Sequence, residues 1–515
     1  MNRFSRSSSF APFAVFLFLA LAGSTPGVAW AEPVRLFDPA TISVQTLPSG
    51  VRSVVQENPG GDLVSVQVWV RAGSRFETKD NNGITHVIET LATRGSKNYP
   101  DNKGGIREAI EGVGGEVSSL SSRDSMFYGV TAAAPFLPNV LRALADATLL
   151  PDLADAKVES AKEELMSQLT GNDPTRVASN LAYGTAFPTH PYRRPPEGTL
   201  TGLAALTGAK VRAYHQARFA GENISVVIVG DVTKADGHKL VAQYFGGAPK
   251  AAPQAPIAPD KPLTTIQRQS TRGLLPVTFL TIGFRSPGIK NAADVVASDV
   301  LLACWKEGRD ATLRTVLKGA RPLSSQNEPA AIEEEADDES ENEDENAPGE
   351  GEQPEPAPAP EAEPPVDEEN RPLALAFDVE YLTQRDSGLF LISLIAPRDR
   401  NAAIRALAVE IARVKANGLT DEELARAKEI LRLQYIQQSQ TITGQAGALG
   451  FYEMIDSYQF ATTYLDRVAR VTNEDIRRVA SEYLKADAHV EITVEGLRLN
   501  PPPPDKGTIT ARLFR

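Results

Sequence analysis

The sequence predicts a tandem duplication within the α+β class: two homologous α+β domains, each a mostly antiparallel sheet with helices on one face. Three observations predict it. The chain has 515 residues, well beyond the roughly 100 to 200 residues that one core usually organises. The order of elements in residues 158–231, a long amphipathic helix, two further helices and an apolar strand, returns in residues 424–495. The spacing returns with it, 53 residues from Val158 to Val211 and 52 from Leu424 to Ile476.

Taken in order, the first residues read as an export signal. Arg3 and Arg6 precede an apolar run at residues 10–23, and Ala29 and Ala31 are the small residues a signal peptidase reads. A signal peptide over residues 1–31, cleaved after Ala31, is expected, with the mature chain periplasmic or extracellular. The apolar run is shorter than the roughly 20 residues of a membrane span, so no membrane span is expected in the mature chain.

The first copy is placed at residues 34–247. Residues 63–70 form a strand that leads into a glycine-bounded apolar helix at 83–95. Helices follow from Val158, across 174–187 and across 209–218, and residues 224–231 close the copy as a strand. Residues 248–262, rich in Ala and Pro, read as a linker.

The second copy spans 263–515. Its strands are expected at 275–282, 373–381 and 490–495, and its helices at 292–305, 313–317, from Leu424, at 443–455 and at 473–484. The single cysteine, Cys304, excludes an internal disulfide and sits in an apolar run, which predicts a buried, inert thiol.

Residues 328–370, inside the second copy, hold 19 Asp or Glu and no Lys or Arg. With so few large apolar residues they cannot offset their ordering entropy and are expected to be a disordered insertion. Without those 19 charges the net −13 of the chain becomes +6, so the acidity is local. No basic cluster interleaved with aromatics occurs, and nucleic-acid binding is excluded as a function class.

The chemistry concentrates in the helix at 83–95. Positions i, i+3 and i+4 share one helix face, so His86, Glu89 and Thr90 project together. A histidine at position 90 would complete an H-x-x-E-H pattern, two imidazoles for zinc with a glutamate to deprotonate the bound water. The run from Gly83 through His86 and Glu89 to Gly95-Ser96 resembles the inverted zinc motif of the pitrilysin, insulinase and mitochondrial-processing-peptidase family. The likeness extends over Ile110 to Glu116, His190 to Pro195, Ile224 to Asp231, Gly450 to Glu453 and Val471 to Ile476, and covers nearly the whole mature chain.

The resemblance implies that His86 is a zinc ligand and that Glu89 stands at the general-base position. It also implies a third ligand about 75 residues on in a Glu-Glu-Leu helix, where Glu164 lies 75 residues after Glu89. The departure is Thr90, which stands where the second zinc-binding histidine belongs, and a neutral hydroxyl is a poor zinc ligand. Lys157 occupies a position where the family often has a second acid. The other four histidines, His190, His215, His238 and His489, lie far from both motifs in sequence.

Three functions are compatible with these features. The resemblance implies that active members pair so that four homologous units enclose a chamber, one partner sometimes lacking the zinc motif. A non-catalytic or degenerate subunit, pairing as a hetero- or homodimer with a homologous peptidase to process peptides or proteins, fits the loss of one ligand, with zinc vestigial, weak or absent. The alternatives are a working zinc metalloendopeptidase with an irregular ligand set, and a structural subunit like the respiratory core subunits that share the fold.

Overall fold

The computed structural model describes residues 36–170, 173–251, 256–322 and 371–497. The expected signal peptide at 1–31 and the acidic insertion at 328–370 lie outside the described residues.

The first copy runs β1 (Ile42–Thr46), β2 (Arg52–Glu57), β3 (Leu63–Val70), α1 (Ile84–Ala92), α2 (Gly105–Glu111), β4 (Glu116–Ser121), β5 (Met126–Ala133) and α3 (Leu137–Leu149). It continues through α4 (Asp155–Leu169), α5 (Pro174–Ala186), α6 (Leu200–Ala204), α7 (Gly208–Arg218), β6 (Ile224–Gly230) and α8 (Lys234–Phe245). The second copy runs β7 (Gln267–Arg272), β8 (Phe279–Arg285), α9 (Ala292–Lys306), α10 (Thr312–Val316), β9 (Arg321–Pro322), β10 (Ala376–Tyr381) and β11 (Leu389–Ile395). Then come α11 (Arg400–Asn417), α12 (Asp421–Ser439), α13 (Ile442–Ile455), α14 (Gln459–Arg470), α15 (Asn473–Tyr483) and β12 (Val490–Glu495).

The duplication is explicit in the sheets. The first has the order β1-β2-β6-β3-β5-β4 and the second β7-β12-β8-β11-β10-β9. The parallel pair of β2 with β6 corresponds to the parallel pair of β7 with β12. Antiparallel pairs follow in both, β6 to β3 to β5 to β4 against β12 to β8 to β11 to β10. The expected strand at 275–282 begins only at Phe279, because Pro276 has no N–H to give to a ladder.

Each sheet carries its own helices on one face, as expected. The other face is covered by a helix from the opposite copy. α13 lies across β3 and β6, and α5 lies across β8 and β12. This explains why β3 is buried at seven consecutive positions instead of alternating. Val64, Val66, Val68 and Val70 pack into the first-copy core. Gln67 on the opposite face donates to the Thr443 carbonyl at 3.1 Å, and Trp69 meets Phe451 with ring centroids 6.5 Å apart. The approach requires Gly450, since a Cβ there would fall 2.0 Å from Trp69 Nε1. Reciprocally, Ala178, Ala182, Tyr183 and Ala186 of α5 join one core cluster with Leu389, Leu391, Val490 and Ile492.

A buried ionic cluster ties the copies at their equivalent hairpins. Asp124, between β4 and β5, accepts from Arg75 Nη1 at 3.0 Å, from the Tyr192 hydroxyl at 2.8 Å and from the backbone N–H of Arg385 at 3.0 Å. Asp386, between β10 and β11, accepts from Arg75 Nη2 at 2.5 Å and from His190 Nε2 at 3.1 Å. Burial and the neighbouring Asp124 charge push the Tyr192 phenol well above its ordinary range, which keeps it a donor. Cys304 is buried and free, and burial raises its thiol pKa, consistent with an inert role.

Candidate functional site

The start of α1 is fixed from outside the helix. Its N-cap, Gly83, has φ of 100° and no side chain with which to cap the first turn. The buried carboxylate of Glu77 supplies the acceptors instead. Its Oε2 accepts from Asn82 Nδ2 and from the Gly83 N–H, both at 2.8 Å, and its Oε1 from the Thr85 N–H at 3.0 Å. Burial raises the Glu77 pKa, and the three donors offset that only in part. Glu77→Ala should therefore lower the unfolding free energy by about 2 kcal/mol, combining a lost cap with unsatisfied N–H groups. A change below about 0.5 kcal/mol in urea titration would show that the cap is dispensable.

From this start α1 projects His86, Glu89 and Thr90 along one face. His86 is partly exposed, and its Nδ1 lies 3.4 Å from the carbonyl oxygen of Glu197. A carbonyl only accepts, so Nδ1 is the donor in this contact and Nε2 faces away from it. Glu89 is buried, and among the described residues its Oε2 has no hydrogen-bond partner. The buried Tyr128 phenol is in the same condition; burial, then the Glu89 charge, push its pKa well above the ordinary range. Thr90 is partly buried on the same face.

α4 packs against α1 and carries Glu164 to the neighbouring helix. There the exposed Glu164 carboxylate is ion-paired with Arg94, just beyond the C-terminal end of α1. Lys157, which the sequence suggested would bring positive charge toward a cation site, is paired with Asp101 instead. The remaining histidines are engaged elsewhere: His190 with Asp386, His215 with the Thr148 carbonyl at 2.9 Å, His238 between Ser53 and Ser43, and His489 with Glu491.

Among the described residues no group of three or more His, Cys, Asp or Glu side chains is arranged to hold a metal ion. A catalytic zinc site takes three protein ligands and a water. The residues on α1 and α4 do not fit it: one imidazole is available, Thr90 offers a hydroxyl, and the Glu164 carboxylate is bound by Arg94. Two elements of the site were not foreseen in the sequence, the Glu77 cap and the Arg94 pair. A signal for the first existed, because a helix opening at a glycine has no cap of its own.

Residues 52–199 match the family model of insulinase, peptidase family M16, and residues 205–327 match the M16 inactive domain. The chain belongs to the M16 peptidase family. Human mitochondrial cytochrome b-c1 complex subunit 1 is 27% identical over 256 residues, 49% of this chain and 52% of that protein. An uncharacterized zinc protease of Mycobacterium tuberculosis is 27% identical over 255 residues, 47% of this chain and 56% of that protein. The chain thus spans about half the length of the curated relatives it matches. Among solved structures, a protease from Helicobacter pylori superposes with a TM-score of 0.73 at 18% identity, covering 88% of this chain and 99% of that one. A peptidase M16 inactive domain from Pseudomonas fluorescens gives 0.69 at 17% identity, covering 88% and 97%. These two show the fold, and they agree with the duplicated M16-like α+β architecture.

Proposed function

We propose that the chain is an exported, degenerate M16 subunit that pairs with a catalytic homologue in peptide or protein processing and holds zinc weakly or not at all. The observation that carries this reading is the ligand face of α1 and α4, where Thr90 replaces an imidazole and Arg94 occupies the carboxylate of Glu164. Without a metal-bound water, Glu89 has no proton to abstract. Pairing is supported by family membership and by a relative that is itself named as a subunit of a complex. Export rests on the pattern of residues 1–31.

One observation favours a second reading, a working zinc endopeptidase with an irregular ligand set. Glu89 keeps a buried carboxylate oxygen without a partner among the described residues, poised as a general base would be. The two readings separate when zinc content and peptidase activity are measured on the purified mature chain, with and without a homologue that has an intact motif. The proposal expects far less than one zinc per chain, no hydrolysis by the chain alone, and more hydrolysis by the pair than by the homologue alone. Stoichiometric zinc with chelator-sensitive, Glu89-dependent cleavage by the chain alone would replace it with the second reading.

A further inference from the structure

The duplication places a second cleft in the molecule. α9 stands in the second copy where α1 stands in the first, after the central strand and packed against the long helix and the strand equivalent to β4, α12 and β10 in place of α4 and β4. At this place the second copy encloses a pocket of about 910 Å³ between α9, β10, α12, α13 and α14. Asp299 and Lys306 of α9 line it, two turns apart on one face.

The wall is made of tyrosines. The Tyr464 hydroxyl donates to Asp299 Oδ2 at 2.9 Å. The hydroxyls of Tyr381 and Tyr435 are committed to the backbone carbonyls of Pro287 and Ala461, at 3.1 and 2.7 Å, so these residues present rings to the pocket. Tyr452 completes the wall from α13. The charge is acidic, with Asp299, Glu307 and Glu380 against Lys306, whose ammonium is 2.9 Å from Asp378 Oδ1. Aromatic faces and carboxyls both favour a cation and disfavour an anion.

We propose that this pocket binds a Lys or Arg side chain of a peptide or protein, with the cation beside Asp299 and the alkyl stem against the tyrosine rings. A long basic side chain suits such a site because its stem is apolar and its head charged. The pocket also has room for the residues flanking that side chain, which points to a polypeptide and not a small free cation. The state of Asp299 agrees. Burial, only partly offset by the Tyr464 hydrogen bond, pushes its pKa up to about 7, the mark of a carboxyl with no counter-charge beside it among the described residues. The inference stands apart from the state of the zinc face, because none of its residues lies on α1 or α4.

The test is fluorescence anisotropy of the whole mature chain with a labelled Gly/Ser/Ala peptide carrying one central arginine. The same peptide with citrulline, neutral and of the same shape, is the comparison, and spermidine is the competitor. The arginine peptide should bind at least about tenfold tighter than the citrulline peptide, the order expected for a desolvated cation on aromatic faces. Asp299→Asn should remove that preference. Ala448→Arg, on a partly exposed part of the wall, should remove it independently by placing a cation in the pocket, and circular dichroism checks that each variant folds. Equal binding of the two peptides, or an unchanged preference in either folded variant, overturns the proposal. Spermidine binding as tightly as the arginine peptide overturns it too, since the occupant would then be a free polyamine.

Discussion

Asp124→Ala should cost about 3 kcal/mol of folding stability, because it removes the buried partner of Arg75 and leaves that buried charge with only the part-exposed Asp386. Asp124 and Arg75 are each 7% exposed, so water cannot substitute for the lost carboxylate. The substitution also strips the acceptor from the Tyr192 hydroxyl and from the Arg385 backbone N–H, the latter belonging to the opposite copy. Its effect should therefore appear as a loosened joint between the copies as well as a lower midpoint in urea. Asp386→Asn is the control, since Asp386 is 30% exposed and should cost less. A loss below about 1 kcal/mol for Asp124→Ala, the worth of a surface pair, would show that the cluster does not hold the copies together.

The ordering of elements was legible because it depends on local periodicity. Residues 63–70 and 490–495 alternate and are strands, and the helices opening near Thr443 and Asn473 start at Thr-capped turns. The exchange of α5 and α13 was not legible. A helix with an apolar stripe announces that it has a partner and leaves open which sheet it covers. The glycine at 450 is informative only once Trp69 is known to lie over it.

The same limit governs the site. His86, Glu89 and Thr90 share a face by helix geometry, which sequence supplies. The placement of Glu164 on a helix beside α1 also followed from the resemblance, but its pairing with Arg94, 70 residues away in the chain, did not. Lys157 was expected to bring positive charge toward a cation site because it stands where the family often has a second acid, yet Asp101 takes it up. Long-range ion pairs leave no periodic trace. The pocket at Asp299 escaped for a related reason: its tyrosines come from four elements spread over residues 381–464, and each by itself reads as an ordinary core aromatic.

The placement of Arg94 changes which substitution should rebuild the zinc site. Thr90→His adds an imidazole one turn after His86 on the same face, but Glu164 stays paired with Arg94, an exposed pair worth up to about 1 kcal/mol, so this variant alone should gain about fivefold less than one that also frees Glu164. Thr90→His with Arg94→Ala frees the carboxylate and assembles two imidazoles and a glutamate, the number of protein ligands a catalytic zinc takes. Zinc affinity, measured by competition with a chromophoric chelator, should rise by more than about 100-fold over the unmodified chain, since loss of even an outer partner of a ligand costs about 10- to 100-fold. Adding Lys157→Glu should contribute little further, because Lys157 is already neutralised by Asp101. Cobalt substitution supplies a second readout, the absorption of a four-coordinate ion, that does not depend on peptidase activity. If the double variant binds zinc no better than the unmodified chain, then α1 and α4 no longer hold these side chains within coordination distance, and the site has lost its shape as well as its ligand.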